Sequence, residues 1–408
     1  MSVDELISNA IKKNEFEKEL NEDNVYRITE RLAFPRLIGS KGEKRAREIV
    51  VDEFKKVGFN RIYRDTFKTS FYNWIFIRYI FLITGSLLIF LAISIYISPY
   101  LTLFMVVLDI FISFSALKRV NSIKLSKNEI FNHETENIFV KLKSKKSNAN
   151  VIFIGHWDSK SQSFPTSTRI LIFLISVLGS LILLLIYFVL SLLAIIINFN
   201  SPILRNILLD ICVIIAIIGA INYFNKTGND SPGAYDNAAA VGTLVELARY
   251  YKLHPTTNID LLFLSTGSEE LNLGGAINFI QKYKKEFEKN STFFINLDLI
   301  GGNELIRLIT SYGIPRKVSS KKLNELFMKT SKELQIKLKE IYAPTGAWSD
   351  YMPIVHEGFD ACWLGSQPGL KCVHTKKDTM DLVTLEGIKK ILLLCTDVVK
   401  KLETEYNS

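Results

Sequence analysis

Two histidines and a group of acidic residues fall in five short segments of a chain that has only five histidines. The segments are His156-Trp157-Asp158, Gly233-Ala234-Tyr235-Asp236-Asn237, Glu269-Glu270, Asn296-Leu297-Asp298 and His374-Thr375-Lys376-Lys377-Asp378. Imidazole plus carboxylate, with no cysteine among them, is the donor set of hydrolytic rather than structural zinc. A set this rich in carboxylates can hold two ions, one carboxylate bridging them. The pattern points to metal-dependent hydrolysis.

The surrounding elements place these segments. Val25 to Gly58 reads as helical, with apolar residues every three or four positions and Gly58 as its C-cap. Arg61 to Phe67 alternates and predicts a strand. Asn137 to Leu142 and Val151 to Gly155 predict strands that pair antiparallel across the turn-like run Ser144 to Asn150. Further strands are expected at Ile259 to Ser265, Thr292 to Leu297 and Ala361 to Leu364. An amphipathic helix is expected over Ala238 to Tyr251, and further helices over Gly274 to Phe287, Lys321 to Leu334 and Leu385 to Leu402. Alternating strands and helices imply an α/β fold: a mainly parallel mixed sheet sandwiched by helices. Ligands gather at the carboxyl ends of strands in such folds. His156, Glu269, Glu270 and Asp298 each follow an apolar strand directly.

Two blocks interrupt this domain. Arg78 to Lys118 and Arg169 to Phe224 are almost free of charge, and each is long enough for two membrane crossings of about 20 residues. Breaks at Ser98-Pro99 and Asn198 to Pro202 divide them into four predicted transmembrane helices, near 78–97, 100–117, 170–197 and 203–224. The domain is thus expected in pieces: 1–71, 119–168 and 225–408 form the soluble unit, with hairpins at 72–118 and 169–224. Asp109 and Asp210 are the acids inside the hairpins. Met1 to Asn24 is charged and lacks an apolar run, so no cleavable secretory signal is expected. The four cysteines show no paired spacing, and nothing demands an oxidising compartment. A net charge of +9 suits contact with anionic lipid. No basic motif interleaved with aromatics points to nucleic acid.

With these motifs in order, the sequence resembles the M28 family of zinc metallopeptidases, mostly aminopeptidases. The resemblance begins at Phe34 to Ser40 and runs through the five segments and Ser349-Asp350. It implies a fold of the zinc-exopeptidase kind, two zinc ions (or other divalent metals) and a peptide substrate. Asp236 would bridge the ions, His156 and Asp298 would complete one, and Glu270 and His374 the other. Asp158 would fix the His156 tautomer, and Glu269 would be the general base, acting on a water whose pKa the two ions lower. Asp350 would order the substrate side of the cleft. A cis peptide between Asp236 and Asn237 is expected on the same ground. Where the family reads Asn-Ala-Ser-Gly, this chain has Asn237-Ala238-Ala239-Ala240, which removes no ligand.

Singly, each segment has a plainer reading: a core histidine at 156, a solvated helix start at Glu269-Glu270, an N-cap at Asp236, a surface turn at His374. Together they favour a site. His133, His254 and His356 lie outside the segments and read as structural or surface residues. The competing functions are a glutaminyl-cyclase-like transferase, which shares the fold and uses one zinc, and a non-catalytic membrane interaction module, which should have lost ligands. Nothing in the sequence fixes an oligomeric state. Arg61, Arg64, Lys68, Arg78, Lys118, Arg119, Lys124, Lys127, Lys160, Arg169 and Lys226 flank the hairpins on the domain side, against Arg205 in the far turns. The positive-inside bias therefore puts the domain in the cytoplasm. Roughly 12 residues tether the site segments to the third helix, which holds the metals within about 40 Å of the bilayer. The cleft is expected to face or open beside the membrane, towards apolar or membrane-released peptides.

Overall fold

A computed structural model describes residues 19–120, 133–303, 305–313, 315–344, 349–366 and 372–407. The chain opens with helices α1 (Glu22–Leu32) and α2 (Lys41–Lys56). The single helix expected from Val25 to Gly58 is therefore two. Pro35 has no N–H to continue a helix, and Gly42 lies so close to the connecting loop that a Cβ there would sit 1.9 Å from the Pro35 carbonyl oxygen. Ser40 caps α2 by accepting the Glu43 amide at 3.1 Å.

Strand β1 (Tyr63–Thr69) leads into helices α3 (Tyr72–Ser94) and α4 (Pro99–Val120). The chain resumes at β2 (His133–Leu142), β3 (Ala149–His156) and the short β4 (Ser161–Gln162). Helices α5 (Thr166–Ile197) and α6 (Pro202–Ile221) follow, closed at their base by β5 (Thr227–Gly228) pairing with β4. The remainder is α7 (Ala239–Leu253), β6 (Ile259–Thr266), α8 (Gly274–Tyr283), β7 (Thr292–Leu297), β8 (Ile306–Tyr312) and β9 (Lys317–Val318). Then come α9 (Lys321–Glu333), β10 (Leu338–Ala343), α10 (Tyr351–His356), β11 (Asp360–Ser366) and α11 (Leu385–Glu405).

The main sheet runs β1-β2-β6-β3-β7-β11-β8-β10, with β9 on β8. Its centre, β6-β3-β7-β11, is continuously parallel, β1 and β2 pair antiparallel, and β8 lies antiparallel to β11 but parallel to β10. The expected β2–β3 pair does not form, because β6 lies between them. Buried along its whole length, β6 takes the central place. The connection after β2 arches over its start, where Asp260 accepts the Ser144 amide at 2.8 Å, the Ser147 hydroxyl at 2.6 Å and the Lys143 ammonium at 2.5 Å. Helix α7 is buried on nearly every side rather than amphipathic. Its small residues let β3 come close, a Cβ on Gly155 meeting Ala240 at 2.9 Å.

Apolar cores lie on both faces of the sheet, one under α1, α2, α7 and α11 and the other under α8 and α10. The carboxyl ends of β6, β3 and β7 share one edge. Since Thr69 stands opposite His133, β1 ends and β2 begins at that same edge. Both inserted hairpins therefore leave the domain there.

The hairpins pack on each other as four helices around Leu88, Leu91, Val106, Leu184, Tyr187 and Leu208. Their outer faces are apolar and exposed, as at Ile97 (70 %), Phe111 (67 %) and Ile203 (75 %). All four are long and apolar enough to cross a membrane. Helices α3 and α5 begin at Tyr72 and Thr166, earlier than the apolar runs suggested. Backbone hydrogen bonding carries each helix through a polar first turn that hydropathy does not register, and that turn holds Trp74 and Arg169.

Asp260→Ala should destabilise the domain by about 1 kcal/mol, since it removes a buried acceptor shared by three partly solvated donors. Burial opposes ionisation of this carboxyl, but Lys143, Ser147 and Ser144 win and hold it below the usual aspartate range. Its contribution is present above the unfolded pKa of about 4 and is lost as pH falls through the folded value. Thermal melts of parent and variant should converge as the solution is acidified.

Candidate metal centre

The sheet edge gathers the five segments into one buried group. His156 ends β3, Glu269 and Glu270 follow β6, Asp298 follows β7, Asp236 lies in the irregular turn Ala234–Ala238 that leads into α7, and His374 comes from a loop. Single donor atoms of His156, Asp236 and Asp298 lie within 4.8 Å of one another, and so do those of Asp236, Glu270 and His374. Asp236 belongs to both triads, one oxygen to each. Its Oδ1 is 3.2 Å from His156 Nε2 and its Oδ2 is 3.2 Å from His374 Nε2. Asp298 Oδ1 stands 3.6 Å from His156 Nε2, and Glu270 Oε2 stands 3.1 Å from His374 Nε2.

Two observations show that this group fits divalent cations. His156 Nε2 is fully buried and has no hydrogen-bond partner, although carboxylate oxygens of Asp236, Asp298 and Glu269 surround it within 3.8 Å. Glu270 Oε1 is likewise buried without a partner. Lone pairs converging in this way need positive charge between them.

Each ligand is aimed by its own supports. The Asp158 carboxylate accepts the main-chain amides of Glu269 and Glu270, each at 3.2 Å. His156 Nδ1 faces the Asp158 main-chain carbonyl at 3.1 Å and its carboxylate only at 3.6 Å. The tautomer-fixing acceptor is thus the backbone of Asp158, while its side chain holds the Glu269-Glu270 step. Asp298 Oδ2 accepts from the Ser349 hydroxyl at 2.6 Å and the Trp363 indole at 3.2 Å, which turns Oδ1 to the centre. Asp378 accepts the amides of Tyr235 at 2.7 Å and Asp236 at 3.2 Å. The Asp236-Asn237 peptide is cis, as the resemblance implied. Ser268, Leu299 and His374, each at or beside a site residue, adopt left-handed backbone with φ of 56–62°. Such conformations cost of order 1–3 kcal/mol and cluster where a site imposes them.

Arg36 locks the two loops together. It is wholly buried and donates to the carbonyls of Trp157 (2.5 Å), Leu32 (2.8 Å), Pro232 (2.5 Å) and Gly233 (2.7 Å). The Phe34 to Ser40 segment thus carries no ligand, but it ties the His156 strand end to the Asp236 loop.

The electrostatics follow from burial and crowding. Burial lifts the Glu269 carboxyl well above the usual range, with His156 opposing and Glu270, Asp298 and Asp350 adding to the rise. For Asp236 burial is outweighed by the two imidazoles, which hold it low. Glu270 is held down at about 2 against burial by His374 and Lys160. Asp350, expected at the substrate side, is wholly buried behind Glu269. It accepts from the Thr266 hydroxyl, and burial pushes its carboxyl up to about 7. Among the remaining histidines, His133 is half-buried and His356 exposed, both away from the centre, and exposed His254 pairs with Glu19 at 2.5 Å.

Sequence reasoning missed three neighbours. Lys160 Nζ, 5 % exposed, lies 2.8 Å from Glu270 Oε2 and 4.3 Å over the Trp74 ring. The Trp74 indole donates to the Glu270 carbonyl at 2.9 Å. Arg169 Nη2 donates to His374 Nδ1 at 2.9 Å. The only signal for Lys160 was a lone cation beside the His156 segment. Trp74 and Arg169 lie at hairpin roots, far in sequence from what they touch.

The fold and centre define a class: an α/β sheet with buried groups of candidate metal ligands at its carboxyl edge. Residues 219–399 match the protein family described as Peptidase family M28. The match takes in Asp236, Glu269, Glu270, Asp298 and His374, while His156 lies upstream of it. Aminopeptidase YwaD of Bacillus subtilis is 26 % identical over 183 residues, 41 % of this chain and 37 % of that protein. The chain thus spans well under half the length of this relative. Two solved structures share the fold over most of the chain. An aminopeptidase from Aneurinibacillus sp. strain AM-1 superposes with a TM-score of 0.56 at 15 % identity, over 95 % of both chains. A glutaminyl cyclase from an Acidobacteriales bacterium gives 0.54 at 13 %, covering 95 % of this chain and 96 % of that one.

Arg36→Met keeps the apolar stem but strands several buried carbonyls, and should cost at least about 3 kcal/mol. Arg36→Lys should recover only part of this, because one ammonium cannot span the Trp157 and Gly233 carbonyls as a guanidinium does. Thermal unfolding of the three proteins checks the order.

Proposed function

We propose that the chain is a membrane-anchored peptidase that uses two zinc ions to remove residues from the amino ends of peptides. The carrying observation is the pair of buried triads that share Asp236, with His156 Nε2 and Glu270 Oε1 left open towards them. His156, Asp236 and Asp298 would hold one ion, and Asp236, Glu270 and His374 the other. Bound there, zinc would acidify a water and polarise the scissile carbonyl. Glu269, 8 % exposed and 3.8 Å from His156 Nε2, is placed to take a proton from the attacking water and return it to the leaving amine. The elevated proton affinity of this side chain suits both halves of that task. The Asp158 carboxylate keeps Glu269 and Glu270 pointing apart, one to the reacting water and one to the cation.

The apolar outer faces of α3 to α6 support insertion in a bilayer. An even number of crossings returns each hairpin to the domain side, where Arg78 stacks on Tyr223 and Arg119 on Tyr72 in an interfacial belt. The cationic flanks, of which Lys124 and Lys127 lie outside the described residues, put the domain in the cytoplasm. Because Trp74 and Arg169 stand in the first turns of α3 and α5 and touch Glu270 and His374, the centre lies beside the bilayer surface. Apolar or membrane-released peptides are the substrates this placement favours.

Purified protein should carry two zinc equivalents and release amino-terminal residues from a peptide panel. Asp236→Asn should lose zinc and turnover together, whereas Glu269→Gln should keep zinc and lose turnover by roughly 100-fold or more. An active Glu269→Gln would exclude Glu269 as the base. Cyclisation of amino-terminal glutamine without hydrolysis would favour the cyclase-like reading instead. Digestion of the domain by protease added outside intact cells would reverse the orientation.

A further inference from the structure

The two cation positions differ in what stands behind their histidines. His156 Nδ1 faces a main-chain carbonyl, that of Asp158, at 3.1 Å. A ring that gives Nε2 to a metal keeps its proton on Nδ1 and needs an acceptor there. That position is therefore correctly backed. His374 Nδ1 instead faces Arg169 Nη2 at 2.9 Å. A guanidinium has five donors and no acceptor, so this contact requires a lone pair on Nδ1 and leaves the ring proton on Nε2. There the proton points at Asp236 Oδ2 and Glu270 Oε2, the oxygens that share the second position.

A second cation reinforces the asymmetry. Lys160 Nζ lies 2.8 Å from Glu270 Oε2 and is held by the Glu270 carbonyl at 3.2 Å and the Trp74 ring. Among the described residues no lysine or arginine makes an ion pair with Asp298 or a hydrogen bond to His156. Both contacts come from hairpin roots. Arg169 lies in the first turn of α5, braced by the Thr166 hydroxyl at 2.6 Å, and Trp74 lies in the first turn of α3. The short β4 strand beneath α5 also reaches the ligand, Gln162 donating its amide to the His374 carbonyl at 2.9 Å.

Resting on the two-metal reading above, we infer that Arg169 is a positioning residue that weakens the Asp236–Glu270–His374 position. It makes that cation the exchangeable one and leaves the His156 position tight. A cation entering the second position must displace the Nε2 proton and turn the guanidinium away from Nδ1. Its affinity is consequently set by how α5 is seated on the domain.

The test is zinc competition against a chelator, on the full chain in lipid nanodiscs. The parent should release zinc in two steps, one equivalent at least about tenfold weaker than the other. Arg169→Gln and Arg169→Met remove the charged donor and should tighten the weaker equivalent by about tenfold or more, while Arg169→Lys should match the parent. A purely structural role would give the opposite sign, with zinc lost on any substitution. Release of both parental equivalents in one step would overturn the inference, as would looser zinc in folded Arg169→Gln or Arg169→Met. If neither variant folds, the parental release curve and Arg169→Lys decide it. Absence of zinc from every form would sink the two-metal reading and this inference with it, whereas two equally tight equivalents would sink the inference alone.

Discussion

The structure is organised around a concentration of negative charge in a place where water cannot screen it. Asp158, Asp236, Glu269, Glu270, Asp298, Asp350 and Asp378 are all buried at one edge of the sheet. Two like charges 4 Å apart repel by about 4 kcal/mol at an effective dielectric of 20. A carboxylate there needs a positive charge or a donor that faces it, and the fold supplies donors to several of them one by one. Main-chain amides meet Asp158 and Asp378, a hydroxyl and an indole meet Asp298, and the His374 imidazole meets Asp236. The parallel centre of the sheet makes this possible, because it ends several strands side by side and leaves their following residues free of the ladder.

This edge is also where the apolar hairpins are inserted. An insertion elsewhere would have left the loops of the centre to make their own walls. Here the roots of both hairpins supply part of the wall, with Trp74 against the Glu270 carbonyl and Arg169 against His374. The supports of His156 and Asp298 come instead from the core of the domain. The two halves of the centre thus answer to different parts of the molecule, one to the sheet and one to the helices.

Much of the centre was legible because its residues follow apolar strands in sequence, and strand ends are where an α/β sheet gathers its ligands. Helix and strand identity along β3, β6, β7, α9 and α11 could be read for the same reason: their apolar patterns are long and undiluted. The misreadings have physical causes. Pro35 and the approach of Gly42 to its carbonyl break a helix whose apolar period continues across the gap. A turn rich in serine and lysine suggested a β2–β3 hairpin, but its donors serve Asp260 on an intervening strand. Strands β8 and β10 went unread because charged residues interrupt their alternation. Arg36 and Arg169 carried no local signal, since burial and partnership are decided by segments more than 70 residues away in contacts such as Arg36 with Gly233 and Arg169 with His374.

The position of the hairpins also bears on how the chain reaches its fold. Strands β1 and β2 are neighbours in the sheet although α3 and α4 separate them in sequence, and β3 pairs with β6 across α5, α6 and α7. Long separations ordinarily slow folding, because the entropy of closing the loop is lost before the contact forms. A helical hairpin removes most of that cost. Its two arms pack about 8–10 Å apart and deliver the chain back beside the point it left. Helix pairing can therefore precede strand pairing, and the sheet closes around gaps already shortened. On this route the acidic centre is among the last parts to form, since its second half requires hairpin roots that only the assembled helices hold in place.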